Sequence, residues 1–324
     1  MQIDRRSLIS LASAAAATPA LAQTSDPTEI VKLWPRRPPG APPVLPVTKI
    51  TDRIATTGWQ DRYATDIGEP LMTVFRPARP NGAAALIAPG GGYIRVVIDK
   101  EGFEVARRLA EAGVTCFVLR YRLPKEGWVD ASDAPLQDAQ RAIRLIRAQS
   151  FRRVLALGCS AGGHVAASLA TGFARPVYAP IDAADGQSAR PDLSALLYPV
   201  IDMARPFAHV GSRAALLGPS PTPEAEAKYS PHRQVTAETP PTFLVHAADD
   251  TSVPVENALN YLAALRTAKV RAEAHIFEEG GHGFGIRLAQ GRPAAAWPDL
   301  LVSWLGRRGF LWRAVADAPG VTPA

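Results

Sequence analysis

The chain has 324 residues, enough for one large α/β domain or two ordinary ones, and a hydrophobic share of 47% excludes a chain too polar to build a core. Lys and Arg number 36 against 30 Asp and Glu, a net charge of +6. The arginines are spread along expected helices beside apolar residues, which reads as solvated faces and excludes nucleic acid as a partner. Two cysteines exclude a multi-bridge disulfide framework.

Residues 1–22 combine the paired Arg5 and Arg6, a short Leu/Ile/Ala run and an Ala20-Leu21-Ala22 ending. This predicts a secretory signal peptide of twin-arginine type, cleaved after Ala22, and export to the periplasm or beyond. The run is too short and alanine-rich to span ~30 Å of hydrocarbon, so no stable membrane insertion is expected. Residues 23–47 turn Pro-rich and predict an extended arm lying on the domain formed by 48–324.

Strands and helices then alternate. Strands are expected at 71–76, 83–88, 114–119, 153–157, 193–200, 242–245 and 272–277, several of them unbroken apolar runs. Helices are expected at 102–112, 136–148, 161–170, 255–266 and 299–307, from apolar residues at helical spacing. Alternation of this kind predicts one α/β domain with a mostly parallel sheet and helices on both faces. Residues 203–237, rich in Pro, Ala and Ser, break the rhythm and predict a small cover segment of short helices.

Three stretches carry chemistry. Gly158-Cys159-Ser160-Ala161-Gly162 is a G-x-S-x-G between a strand and a helix. That context predicts a sharp turn presenting the Ser160 hydroxyl, with the helix N-terminus facing a developing oxyanion. Pro89-Gly90-Gly91-Gly92-Tyr93 follows the strand at 83–88 and predicts an oxyanion loop, with donors from Gly91 or Gly92 and from the amide of Ala161. The spacing fits neither a dinucleotide fingerprint nor a P-loop, and no zinc-ligand spacing occurs, so neither cofactor nor metal is expected.

A serine hydroxyl needs a base, and the base an orienting acid. An elbow serine takes its acid and then its histidine later in the chain. Asp249 and Asp250 both fit the acid, after the strand at 242–245. Of six histidines, only His282 has the right order and a glycine-rich loop after the last strand. His164 and His275 read as packed residues, His246 as a brace for the acid loop, and His209 and His232 as residues of the cover segment, placed at the surface ahead of the alternative of touching substrate.

At these residues the chain resembles the bacterial α/β-hydrolase esterases described as acetylxylan or carbohydrate esterases. The resemblance runs through Leu33-Trp34-Pro35, Pro89 to Tyr93, Leu119-Arg120-Tyr121-Arg122-Leu123, the elbow, Asp250-Thr251-Ser252-Val253-Pro254 and Gly281-His282-Gly283-Phe284. It implies an α/β-hydrolase fold with a mostly parallel eight-stranded sheet. In such families the acid precedes x-x-Val-Pro, which selects Asp250 and leaves Asp249 as an exposed neighbour. Pro89 stands where lipase-like relatives carry histidine.

The resemblance implies a Ser160-His282-Asp250 acyl-enzyme mechanism on small-molecule or polysaccharide esters, short acyl groups on carbohydrates such as xylan foremost. Tyr93 is the candidate substrate contact, and Tyr93, Trp128 and Trp34 suit either sugar stacking or inward packing. An amide-directed hydrolase and a non-catalytic binding protein on the same fold are the alternatives. The implied strand order puts the strand at 83–88 between those holding Cys116 and Cys159. Two strand spacings, ~9.6 Å, exceed disulfide reach, so both thiols are expected to be free.

Overall fold

The structure is a computed structural model that describes residues 26–311. The expected signal peptide lies outside the described residues. Eight strands form one sheet: β1 (Ile30–Lys32), β2 (Leu71–Phe75), β3 (Ala83–Ala88), β4 (Thr115–Arg120), β5 (Arg153–Cys159), β6 (Leu193–Leu197), β7 (Thr242–Ala247) and β8 (Ala272–Phe277). Their spatial order is β1-β2-β4-β3-β5-β6-β7-β8. Strand β2 pairs antiparallel with both β1 and β4, and all later neighbours are parallel. This is the expected α/β-hydrolase fold.

The apolar runs fill both faces of this sheet. Along β3, Ala84, Leu86 and Ala88 enter one core while Ala83, Ala85 and Ile87 enter the other, as the two-residue period of a strand requires. Helices α1 (Glu104–Glu111) and α7 (Trp297–Arg307) cover the second face with Leu109, Trp297, Leu301 and Trp304. Helices α2 (Ala134–Ala148), α3 (Ala161–Gly172) and α6 (Glu256–Thr267) cover the first with Ile143, Val165 and Tyr261. Strand β3 does lie between those carrying Cys116 and Cys159, and both thiols are buried and free of any disulfide.

Strand β6 stops three residues short of the expected end. Tyr198 takes a left-handed φ of 37°, turning the chain so that the Val200 amide donates to the Ser160 carbonyl at 3.0 Å. Residues 49–52, 62–65 and 96–97 add a separate three-stranded sheet that no apolar pattern announced. The cover segment carries helices α4 (Val210–Leu217) and α5 (Pro223–Lys228), joined by the Arg213–Glu226 ion pair. In the arm, Leu33 and Trp34 are buried, and the Trp34 indole donates to Asp138 at 2.8 Å. Among the described residues no helix is long and apolar enough to cross a membrane.

Candidate active site

Ser160 sits between β5 and α3 at φ 53° and ψ −121°, a conformation costly for any residue with a side chain. The surrounding backbone holds it there. Its N–H donates to the Leu197 carbonyl at 3.0 Å, and its carbonyl accepts from the His164 amide at 3.2 Å. So close a crossing of strand and helix excludes side chains at two flanking positions. A Cβ on Gly158 would lie 2.1 Å from the Gly162 carbonyl oxygen, and one on Gly162 would lie 2.0 Å from that of Ala88.

The Ser160 hydroxyl meets His282 Nε2 at 2.8 Å, and His282 Nδ1 meets Asp250 Oδ2 at 2.7 Å. An ionised carboxylate only accepts, so the Nδ1 proton points to Asp250 and the Nε2 lone pair faces the serine. Asp250 Oδ1 accepts the Ser252 and Val253 amides, each at 2.9 Å. Burial alone raises its carboxyl pKa, but hydrogen bonds from His246 and His282 and the Val253 amide together hold it well below the usual carboxylate range.

Each histidine finds a distinct place. His246 is fully buried beside Asp250, its Nε2 3.0 Å from the Val253 carbonyl and 3.2 Å from Asp250 Oδ2, so it braces the acid loop. Exposed Asp249 accepts the Gly280 and Gly281 amides at 3.0 and 2.7 Å, tying the acid loop to the histidine loop. His164 is packed under the elbow. Its Nε2 donates to the Tyr229 carbonyl at 2.7 Å, so Nδ1 accepts the Tyr93 hydroxyl at 2.6 Å. His275 lies on β8 against Phe243. His232 belongs to the cover segment near Asp202. His209 is half-buried rather than a plain surface residue. It caps α4 through Ser212, and burial followed by the nearby His282 pushes its imidazole pKa down.

The glycine loop is pinned from several sides. The Tyr121 hydroxyl donates to the Pro89 carbonyl at 2.8 Å, and the Val97 amide to that of Gly90 at 2.9 Å. Gly91 and Gly92 take φ of 133° and 67°, and their amides have no partner among the described residues. The Ala161 amide opens α3, where the first turn leaves donors free. Positive φ at these glycines is what side chains disfavour.

Tyr93, Trp34 and Trp128 do not offer sugar-stacking faces. Tyr93 is 1% exposed with its hydroxyl on His164, Trp34 5% and Trp128 4% exposed. A two-sided position in a short loop reads equally as platform or as packing, and here the deep core beside Tyr121 and His164 takes the Tyr93 ring. A cavity of about 220 Å³ is lined by Tyr93, His164, Asp133, Arg175 and Tyr229 but not by Ser160 or His282. Two buried residues at the centre escaped the sequence reading, Glu101 and Tyr198. Neither carries a local signal, since both act through residues far away in the chain.

Residues 74–265 match the BD-FAE family, well over half of the chain, ending before the His282 loop. The chain is similar to endo-1,4-beta-xylanase B of Butyrivibrio fibrisolvens, 36% identical over 62% of this chain and 32% of that protein. It is also similar to an acetylxylan esterase of Xylanibacter ruminicola, 32% identical over 68% of this chain and 45% of that protein. The chain thus spans less than half the length of either. Among solved structures, an acetyl ester-xyloside bifunctional hydrolase from Caldicellulosiruptor lactoaceticus is 33% identical, with a TM-score of 0.70 over 89% of this chain and 99% of that one. This chain therefore belongs to the BD-FAE family.

Proposed function

We propose that this chain is a carboxylic ester hydrolase working by two-step acyl transfer on Ser160, with short acyl esters of carbohydrates, acetylated xylan foremost, as substrates. The observation that carries this reading is the unbroken hydrogen-bond chain Ser160–His282–Asp250, at 2.8 and 2.7 Å. Ser160 Oγ attacks the ester carbonyl and its proton passes to His282 Nε2. Asp250 steadies the resulting imidazolium, and the amides of Gly91 or Gly92 and Ala161 receive the oxyanion. His282 returns the proton to the departing alcohol. It then draws a proton from water as the water oxygen attacks the acyl carbonyl, and passes that proton to Ser160 Oγ as the Oγ–acyl bond breaks and the acid leaves. The names of the Xylanibacter and Caldicellulosiruptor relatives support the acetyl and xylan part.

The test is acetate release from acetylated xylan and from p-nitrophenyl acetate, by the mature chain and by Ser160→Ala. The expected result is activity on both that falls at least ~10³-fold in the variant. Activity on the small ester alone would remove the carbohydrate part, and activity surviving in Ser160→Ala would remove the mechanism. Export is part of the proposal and rests on Arg5, Arg6 and Ala20-Leu21-Ala22. Sequencing the N-terminus of the exported protein is expected to read Gln23 first, and an intact Met1 there would refute cleavage.

A further inference from the structure

Between β3 and α1 the chain makes a wide helical turn at Asp99–Phe103, in which the Phe103 amide reaches back five residues to the Ile98 carbonyl at 2.8 Å. Turns of this width recur at functional sites because they redirect one side chain inward. Here the redirected side chain is Glu101, only 3% exposed. A buried carboxyl is costly unless its oxygens are bonded, and among the described residues Glu101 takes part in no ion pair. Its oxygens instead serve two different loops. Oε2 accepts the Gly90 amide at 2.8 Å, at the start of the glycine loop. Oε1 accepts the Tyr198 hydroxyl at 3.3 Å, and that hydroxyl accepts the Gly285 amide at 3.2 Å, in the loop that carries His282.

The fit around this group is close. A Cβ on Gly90 would lie 2.5 Å from Glu101 Oε2 and 2.8 Å from the Ser160 Cβ. A Cβ on Gly283 would lie 3.4 Å from Glu101 Oε1. The Tyr198 ring packs edge-on against His282 with centroids 5.3 Å apart.

We infer that Glu101 is a positioning residue, a buried crosspiece that holds the oxyanion loop and the histidine loop at a fixed distance on either side of Ser160. It touches no reacting atom. It fixes where the Gly91 and Gly92 amides stand relative to the serine, and through Tyr198 it fixes the backbone that carries His282. The inference rests on the esterase reading, because it concerns geometry that matters only when an oxyanion forms.

The test measures kcat and KM on p-nitrophenyl acetate, per active site titrated with a fluorophosphonate, for wild type, Glu101→Ala, Glu101→Gln and Tyr198→Phe. A misplaced oxyanion donor is felt in the transition state, so Glu101→Ala is expected to lose ~10²-fold in kcat with KM within ~3-fold. Glu101→Gln keeps an acceptor for Gly90 and is expected to recover most of the loss. Tyr198→Phe is expected to lose ~3–10-fold, and adding it to Glu101→Ala is expected to cost little more, since both act through one connection. Wild-type kcat per titrated site in Glu101→Ala, even with fewer sites or lower stability, would overturn the inference. If Glu101→Ala does not fold, wild-type kcat in both Glu101→Gln and Tyr198→Phe would overturn it. A folded wild type that hydrolyses no ester and takes no label would sink the esterase reading, and this inference with it.

Discussion

At the scale of single residues, the centre of the molecule is a set of atoms whose bonding partners are already chosen. The Asp250 carboxylate accepts from two amides and stands beside two histidines, which explains both its low pKa and its orientation. Asp250→Asn would place a donor where His282 Nδ1–H now donates, forcing the other tautomer and removing the lone pair that faces Ser160. The expected loss is ~10³–10⁴ in kcat with the fold intact, read by steady-state kinetics and circular dichroism. A second residue-scale case is the buried Arg122–Asp138 pair, both side chains fully covered and bonded at 2.9 Å. Asp138→Ala strands the guanidinium and also removes the acceptor of the Trp34 indole. It is expected to cost ~3–5 kcal/mol in urea denaturation.

At the scale of elements, glycine separates contact from conformation. Gly162 opens α3 against the carbonyl of Ala88, and a Cβ there has 2.0 Å of room. Gly162→Ala is therefore expected to yield little soluble protein, or protein with a strongly lowered Tm. Gly306 lies inside α7 with nothing within 4 Å of a Cβ and no unusual φ. Gly306→Ala is expected to stabilise by ~0.5–1 kcal/mol, through the conformational freedom it removes from the unfolded chain. Equal effects at the two positions would contradict this account of the elbow.

At the scale of the whole molecule, acid sensitivity follows from His164. Burial pushes its imidazole down to about 4 from 6.5. The unfolded chain takes up this proton below about 6.5 while the folded one refuses it until about 4. Stability is therefore expected to decline as pH falls through that window, by on the order of 3 kcal/mol, and to level off beneath it as far as this group is concerned. His164→Gln, which keeps an acceptor for Tyr93 and a donor for Tyr229, should remove this part of the slope in denaturation curves taken at several pH values. A slope unchanged in the variant would assign it to other groups.

The sequence by itself determined what is local. Short apolar-rich runs marked seven of the eight strands, several of them unbroken because a strand covered on both faces has no polar side to display. The strand–glycine–serine–glycine–helix pattern marked the elbow, because a turn that tight admits few residues. Chain order then pointed to His282 and, with the x-x-Val-Pro pattern, to Asp250, the two side chains that the structure brings to Ser160. Only the tertiary structure decided the rest. Strand β1 is three residues with no apolar run and exists because β2 offers it an edge. Tyr93 turned inward because a core position beside Tyr121 was open to it. Glu101 meets Gly90 across 11 residues and Tyr198 across 97, contacts that exist only once the sheet has brought those loops together. Periodicity and turn chemistry act over about ten residues, whereas a hydrogen bond between loops is fixed by the path of the whole chain.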